Sequence, residues 1–139
     1  MPVRSPGQTT DILLGADHGS VVLTTANDTE LHSWLVPVDG RIIAWGHQVT
    51  TTVVSPDFVP TVILETTDYD DAANTTIQDT VTIPAGTVAA NTVVWRNLNF
   101  GNGVAVTAGQ HIRFVNSIHA HDAGGAGAIV PYVIYRPGS

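Results

Sequence analysis

The chain has 139 residues, 43% of them hydrophobic and only 12% charged, with no cysteine and a net charge of −7. This length suits one domain with a real core, and the lack of cysteine excludes disulfides and thiolate metal sites. The acidic balance argues against nonspecific binding to nucleic acid or anionic membranes, both of which need a basic patch.

Threonine, valine, alanine, glycine and asparagine fill the place of the missing charges. Threonine and valine are β-branched, so the composition is strand-rich rather than disordered. The five cations are all arginines: Arg4, Arg41, Arg96, Arg113 and Arg136. Lysine is depleted and arginine enriched at interface cores. The absence of lysine therefore points to an assembly subunit, the alternative being a compositional bias of the source.

Residues 1–10 hold Pro2, Pro6 and Gly7 without periodicity and read as an N-terminal arm. The arm is either a loose terminus or a segment lying on a neighbouring subunit. It shows no apolar core of a signal peptide, and no run of about 18 apolar residues marks a membrane span. The expectation is a protein made in a cytoplasm. Residues 11–139 read as one domain.

Asp11–Leu14 is a short apolar segment and Val21–Thr25 the first strand. Leu31–Val38 follows, with His32, Trp34, Val36 and Val38 on one face. Asp39-Gly40 is a hairpin signal. Arg41–Val54 is the longest strand pattern, with Ile43, Trp45, Val49 and Val53 on one face and Ala44, Gln48, Thr50 and Thr52 on the other. Gly46 within it marks a bulge or a close backbone approach.

After a Pro-rich break, Thr61–Thr67 is a strand with Val62 and Leu64 facing one way. Asp68–Asn74 reads as an acidic surface loop. Ile77–Ile83 alternates, with Ile77, Val81 and Ile83 together. Thr92–Leu98 places Val93 and Trp95 on one face. Asn97–Gly103 is a loop rich in asparagine and glycine.

Val104–Ser117 reads as strand, tight turn at Ala108-Gly109, and strand, with Ile112 and Phe114 on one face and His111 and Arg113 on the other. Ile83-Pro84-Ala85-Gly86-Thr87 repeats the pattern of Val106-Thr107-Ala108-Gly109-Gln110. His119–Gly127 is a glycine-rich loop. The last strand, Ala128–Arg136, is apolar on both faces: Ile129 and Val133 on one, Val130, Tyr132 and Ile134 on the other. Such a strand is either central or covered from outside the monomer. Eight to ten short strands with frequent turns predict an all-β antiparallel sandwich or jelly roll.

Four groups are candidates for chemistry. His119, His121 and Asp122 have the spacing to hold a divalent metal from an extended segment, against the plainer reading of a polar loop. Asp68, Asp70 and Asp71 resemble a calcium loop but lack its glycine and distal glutamate. Glu30 and Glu65 are the only glutamates, and paired-carboxylate hydrolysis would need two acids facing each other across a cleft. Trp34, Trp45 and Trp95 form either core or an exposed stacking platform. No Gly-x-Ser-x-Gly elbow is present. The residues favour no catalytic site, metal or cofactor.

The order of Asp39–Ile43, Thr61–Glu65, Val81–Thr87, Val106–Phe114, a glycine-rich loop and Pro131–Pro137 resembles the jelly-roll domains of tailed-bacteriophage structural proteins, notably capsid decoration (cement) proteins. Head-fibre and tail domains share the likeness, as do some carbohydrate-binding modules. The resemblance covers roughly residues 35–137. It implies a non-enzymatic virion protein on the outer capsid surface, assembled in the host cytoplasm. Its partners would be its own copies, as a homotrimer, and the major capsid protein. Val130, Tyr132 and Ile134, or the opposite face of that strand, are the expected subunit interface.

Overall fold

The computed structural model describes residues 11–15, 20–23, 29–55, 60–68, 71–84, 86–118 and 126–138. Two antiparallel sheets pack face to face as a β-sandwich. The strands are β1 (Ile12–Leu14), β2 (Val21–Val22), β3 (Thr29–Leu35), β4 (Gly40–Ser55), β5 (Thr61–Asp68), β6 (Asp71–Thr82), β7 (Gly86–Val88), β8 (Val93–Asn97), β9 (Val104–Val106), β10 (His111–Ile118) and β11 (Ala126–Pro137).

One sheet has the order β3-β10-β5-β6. In the other, β11 lies between β4 and the short strands β1 and β2. Along the far side of β4 run β7, β8 and β9, each antiparallel to it. The residues 1–10 assigned to an arm lie outside those described, as does the His119–His121–Asp122 candidate.

The core follows from alternation along the strands. Trp45, Val49 and Val53 of β4, Leu64 of β5, Ile112 and Phe114 of β10, and Ile129, Val133 and Tyr135 of β11 are all buried between the sheets. Burial of such apolar surface is the dominant favourable term in folding. The Trp45 and Phe114 rings meet edge to face with centroids 5.2 Å apart.

His47 shares this face of β4. It is fully buried, 6.5 Å from the Phe114 ring, and its Nδ1 has no hydrogen-bond partner. Burial pushes its pKa down to about 4, so a neutral imidazole fills this core position.

The structure corrects several sequence expectations. The turn at Ala108-Gly109 does not close a hairpin. β9 pairs with β4 in one sheet, and β10 pairs with β3 and β5 in the other. Asp39-Gly40 likewise joins strands of different sheets. Its side chain instead secures the neighbouring corner, where Asp39 accepts a hydrogen bond from the Ala108 backbone N–H at 2.9 Å.

The repeated motif marks two such crossings, β6 to β7 and β9 to β10. Its buried residues, Ile83 and Val106, plug the core. Its glycines, Gly86 and Gly109, have φ of 97° and 91°, a region where a Cβ is unfavourable.

Bulges explain the remaining differences. β11 pairs Ile134 with Ala44 and Tyr135 with Ile42, so Ile43 is the extra residue of β4. Ile42 therefore replaces Ile43 on the core face. In β6, Glu65 pairs with Ile77 and Leu64 with Asp79, which leaves Gln78 extra. That shift turns Ile77 to the outside, 59% exposed, while Val81 and Ile83 stay inside. Asp71–Asn74, expected in a loop, belong to β6 because Asp68 pairs with Asp71 and Thr67 with Thr75. Val38 is exposed because β3 ends at Leu35.

Candidate functional site

Among the described residues, the outer face of the sheet containing β11 carries a continuous run of apolar side chains. β11 is hydrogen-bonded on both sides, so it is a central strand. Centrality accounts for its core-facing residues. It does not account for Val130, Tyr132 and Ile134, which alternate with them and lie half-buried on the outside. Outward positions of a sandwich strand are ordinarily polar.

Strand register extends these residues into three cross-sheet rows. Val130 lies beside Gln48 and Val93, Tyr132 beside Gly46 and Trp95, and Ile134 beside Ala44 and Asn97. Leu13 of β1 continues the last row past Ile134. Val93 is 59% exposed, Leu13 52% and Trp95 46%. None of these side chains is a carboxylate or a cation.

Gly46 shapes the middle row. A Cβ there would sit 1.9 Å from the Val94 carbonyl oxygen and 3.0 Å from the Tyr132 ring. Without it, Tyr132 lies across β4. The Tyr132 hydroxyl reaches the backbone carbonyls of His47 and Val94, each at 3.2 Å, and can donate to either. Burial raises the phenol's pKa and keeps it a neutral donor. Trp95 then leans on the same ring, with centroids 5.3 Å apart and planes tilted by 33°. The close approach foreseen at Gly46 is thus used to seat an aromatic pair.

A polar lock at the rim holds the two sheets together. Asp79 of β6 accepts hydrogen bonds from Trp45 Nε1 at 2.8 Å and from Arg96 Nε and Nη2 at 2.8 and 3.1 Å. Its own neighbour Thr80 donates a backbone N–H at 2.9 Å. Burial opposes the Asp79 charge, but these donors and the Arg96 charge hold its carboxyl below the usual range. A second bidentate pair, Arg136 with Asp11 at 2.7 and 3.1 Å, ties the segment before β1 to β11.

The other candidates part company. Trp34 and Trp45 are core, so the three tryptophans form no common platform, and Trp95 alone of them is exposed. Glu30 and Glu65 do come together, but around Arg113, at 3.3 and 3.1 Å. They serve an ion pair rather than face a cleft. Asp68 accepts a hydrogen bond from Gln110 at 3.1 Å, while Asp70 and the Asp71 side chain lie outside the described residues. Among the described residues no three histidine, aspartate or glutamate side chains converge as a metal site.

Sequence reasoning set Val130, Tyr132 and Ile134 on one face of their strand but did not connect them with Leu13, Val93 and Trp95. The signal was the pairing of β8 and β1 with the central strands, which no local pattern carries. Comparison of the chain with protein families, with curated proteins and with solved structures gives no match.

Proposed function

We propose that the chain is a non-enzymatic structural subunit that acts by association. On its sequence resemblance, that role is a capsid decoration subunit on the outer surface of a bacteriophage head. The observation that supports this reading is the uncharged apolar outer face built on Val130, Tyr132, Ile134, Leu13, Val93 and Trp95. In a chain of net charge −7, such a face is where copies can meet without opposing carboxylates. Cross-bracing of the sheets through Asp79 suits a subunit that must stay rigid under load.

The jelly-roll connectivity, the homotrimer and the major capsid protein as second partner belong to this reading. A ring of three copies uses a heterologous interface, in which different patches meet. Mass spectrometry of purified phage particles tests the role: the chain should be a virion component in high copy number. Its absence from particles of a phage that encodes it would overturn the assignment.

A carbohydrate-binding module is the second reading, favoured by one observation. Trp95 exposes a ring beside Tyr132, and the apolar face of a sugar can stack on such a ring. Gln48 and Asn97 stand near with amide groups for hydroxyls. Binding on a glycan array that disappears in Trp95→Ala would support this reading over the first.

A further inference from the structure

One aromatic side chain of the described residues touches nothing. Phe100 is 101% exposed, at the tip of a short 3-10 turn, Asn99–Gly101, that follows β8. The turn is firmly built. Leu98 is buried beneath it, and the Leu98 carbonyl accepts hydrogen bonds from the Gly101 and Gly103 N–H groups, each at 3.0 Å. Asn102 N donates to the Asn99 carbonyl at 2.9 Å, and the Asn99 amide donates to the Gly103 carbonyl at 3.3 Å.

Its backbone is unusual at the tip. Asn99 has φ of 47° and Phe100 φ of 53° with ψ of 31°. Asparagine tolerates this left-handed region, but for a bulky side chain it is a true outlier. Glycine would occupy the position without strain. A sequence that places phenylalanine there, and leaves the ring wholly in water, gains nothing from it within the monomer.

We propose that Phe100 is the anchor by which one copy of this chain docks on a second, its ring seated against the apolar outer face of the neighbour's sheet. The inference rests on the reading of self-association above and names the side chain that carries it. Two features favour a second copy over another occupant. The receiving surface is present in the same chain, as the face around Trp95, Tyr132 and Ile134. Neither surface has a carboxylate among its own residues: no ionisable side chain occurs from Asn97 to Val106, where Arg41 reaches the Gly103 carbonyl at 3.4 Å, and none occurs in the three rows of the face, which the ion pair of Arg136 with Asp11 borders. In a chain of net charge −7, knob and face can meet without bringing acids together. Aromatic residues are the commonest anchors of such contacts. A contact of knob on face serves either a two-fold pair, in which each copy's knob meets the other's face, or a closed ring.

Sedimentation equilibrium of the wild-type chain, Phe100→Asp and Phe100→Gly tests this. The wild type should assemble, and both variants should weaken the dissociation constant by on the order of 30-fold, as loss of a hot-spot aromatic does. Phe100→Gly should also melt at the same or a higher temperature than the wild type. Loss of assembly together with unimpaired folding is a signature that a merely structural residue would not give.

Variants that assemble as tightly as the wild type would overturn the inference and leave the association reading intact. A wild-type chain that stays monomeric at high concentration, yet is present on particles, would overturn it while the decoration role stands. Loss of shell binding by Phe100→Asp against a monomeric wild type would assign Phe100 to a different protein, and docking on a second copy would fall.

Discussion

On the outside of the sheet β3-β10-β5-β6, Arg113 lies between Glu30 and Glu65, and Thr67 shares a hydrogen bond with Thr75 at 3.0 Å. On the outside of the other sheet, Trp95 leans on Tyr132 over a glycine, with Val93 and Leu13 in water. Both faces are made of antiparallel strands packed on one core. The first centres on an ion-paired arginine, with Ile77 and Leu35 exposed beside it. The second has apolar surface that nothing in the described chain covers. The contrast sets a face built on an ion pair against one built on an uncharged aromatic pair.

The strongest way to break the contrast is at Gly46. Gly46→Ala would place a methyl carbon against the Val94 carbonyl and the Tyr132 ring. Forcing β8 away from β4 should destabilise the protein by about 3 kcal/mol or more, read as a lowered denaturant midpoint. A variant of wild-type stability would mean that the face does not depend on this close approach.

The next effect lies in the core that both faces share. The folded pKa of His47 is lowered to about 4 from 6.5, so the folded state resists the proton that the unfolded chain accepts. Its contribution is fully present above pH 6.5. It fades as pH falls toward 4, where the loss reaches roughly 3 kcal/mol. His47→Leu should flatten stability between pH 6.5 and 4. An unchanged slope in that variant would exclude His47 as its source.

A smaller effect is expected at the ion-paired face. Glu65 is 7% exposed, and Arg113→Met would remove the guanidinium beside it. The expected loss is about 2 kcal/mol, because a buried carboxylate is left short of compensation. The double variant Arg113→Met/Glu65→Leu should recover part of it. Strictly additive losses in that cycle would deny the coupling.

The smallest effect on stability belongs to the apolar face. Val93→Asp should change folding by under about 0.5 kcal/mol, as exposed positions do, while abolishing self-association. Strong destabilisation by this change would make the face part of the fold rather than an interface.

Much of the sandwich was legible because alternation is local. Val62 and Leu64, Ile112 and Phe114, and the two faces of β11 follow from period two alone. His47 was not legible: a lone histidine in a strand pattern does not announce that it will be sealed in beside Phe114. The interface candidates Val130, Tyr132 and Ile134 were legible as an outward apolar row. Trp95 was readable as a strand residue but not as their neighbour. Phe100 stood in a loop of asparagines and glycines whose backbone torsions no pattern supplies.

The amino-acid order by itself determined the class of structure, most of the strands and the neutrality of two stretches, because these depend on side-chain chemistry and near neighbours. The tertiary structure alone decided that Ala108-Gly109 and Asp39-Gly40 join different sheets. It also decided that bulges at Ile43 and Gln78 change which residue faces inward, and that β1 and β8 widen the face of β11. Those outcomes depend on which distant strands pair and in what register, and a shift of one residue sends a side chain to the opposite side.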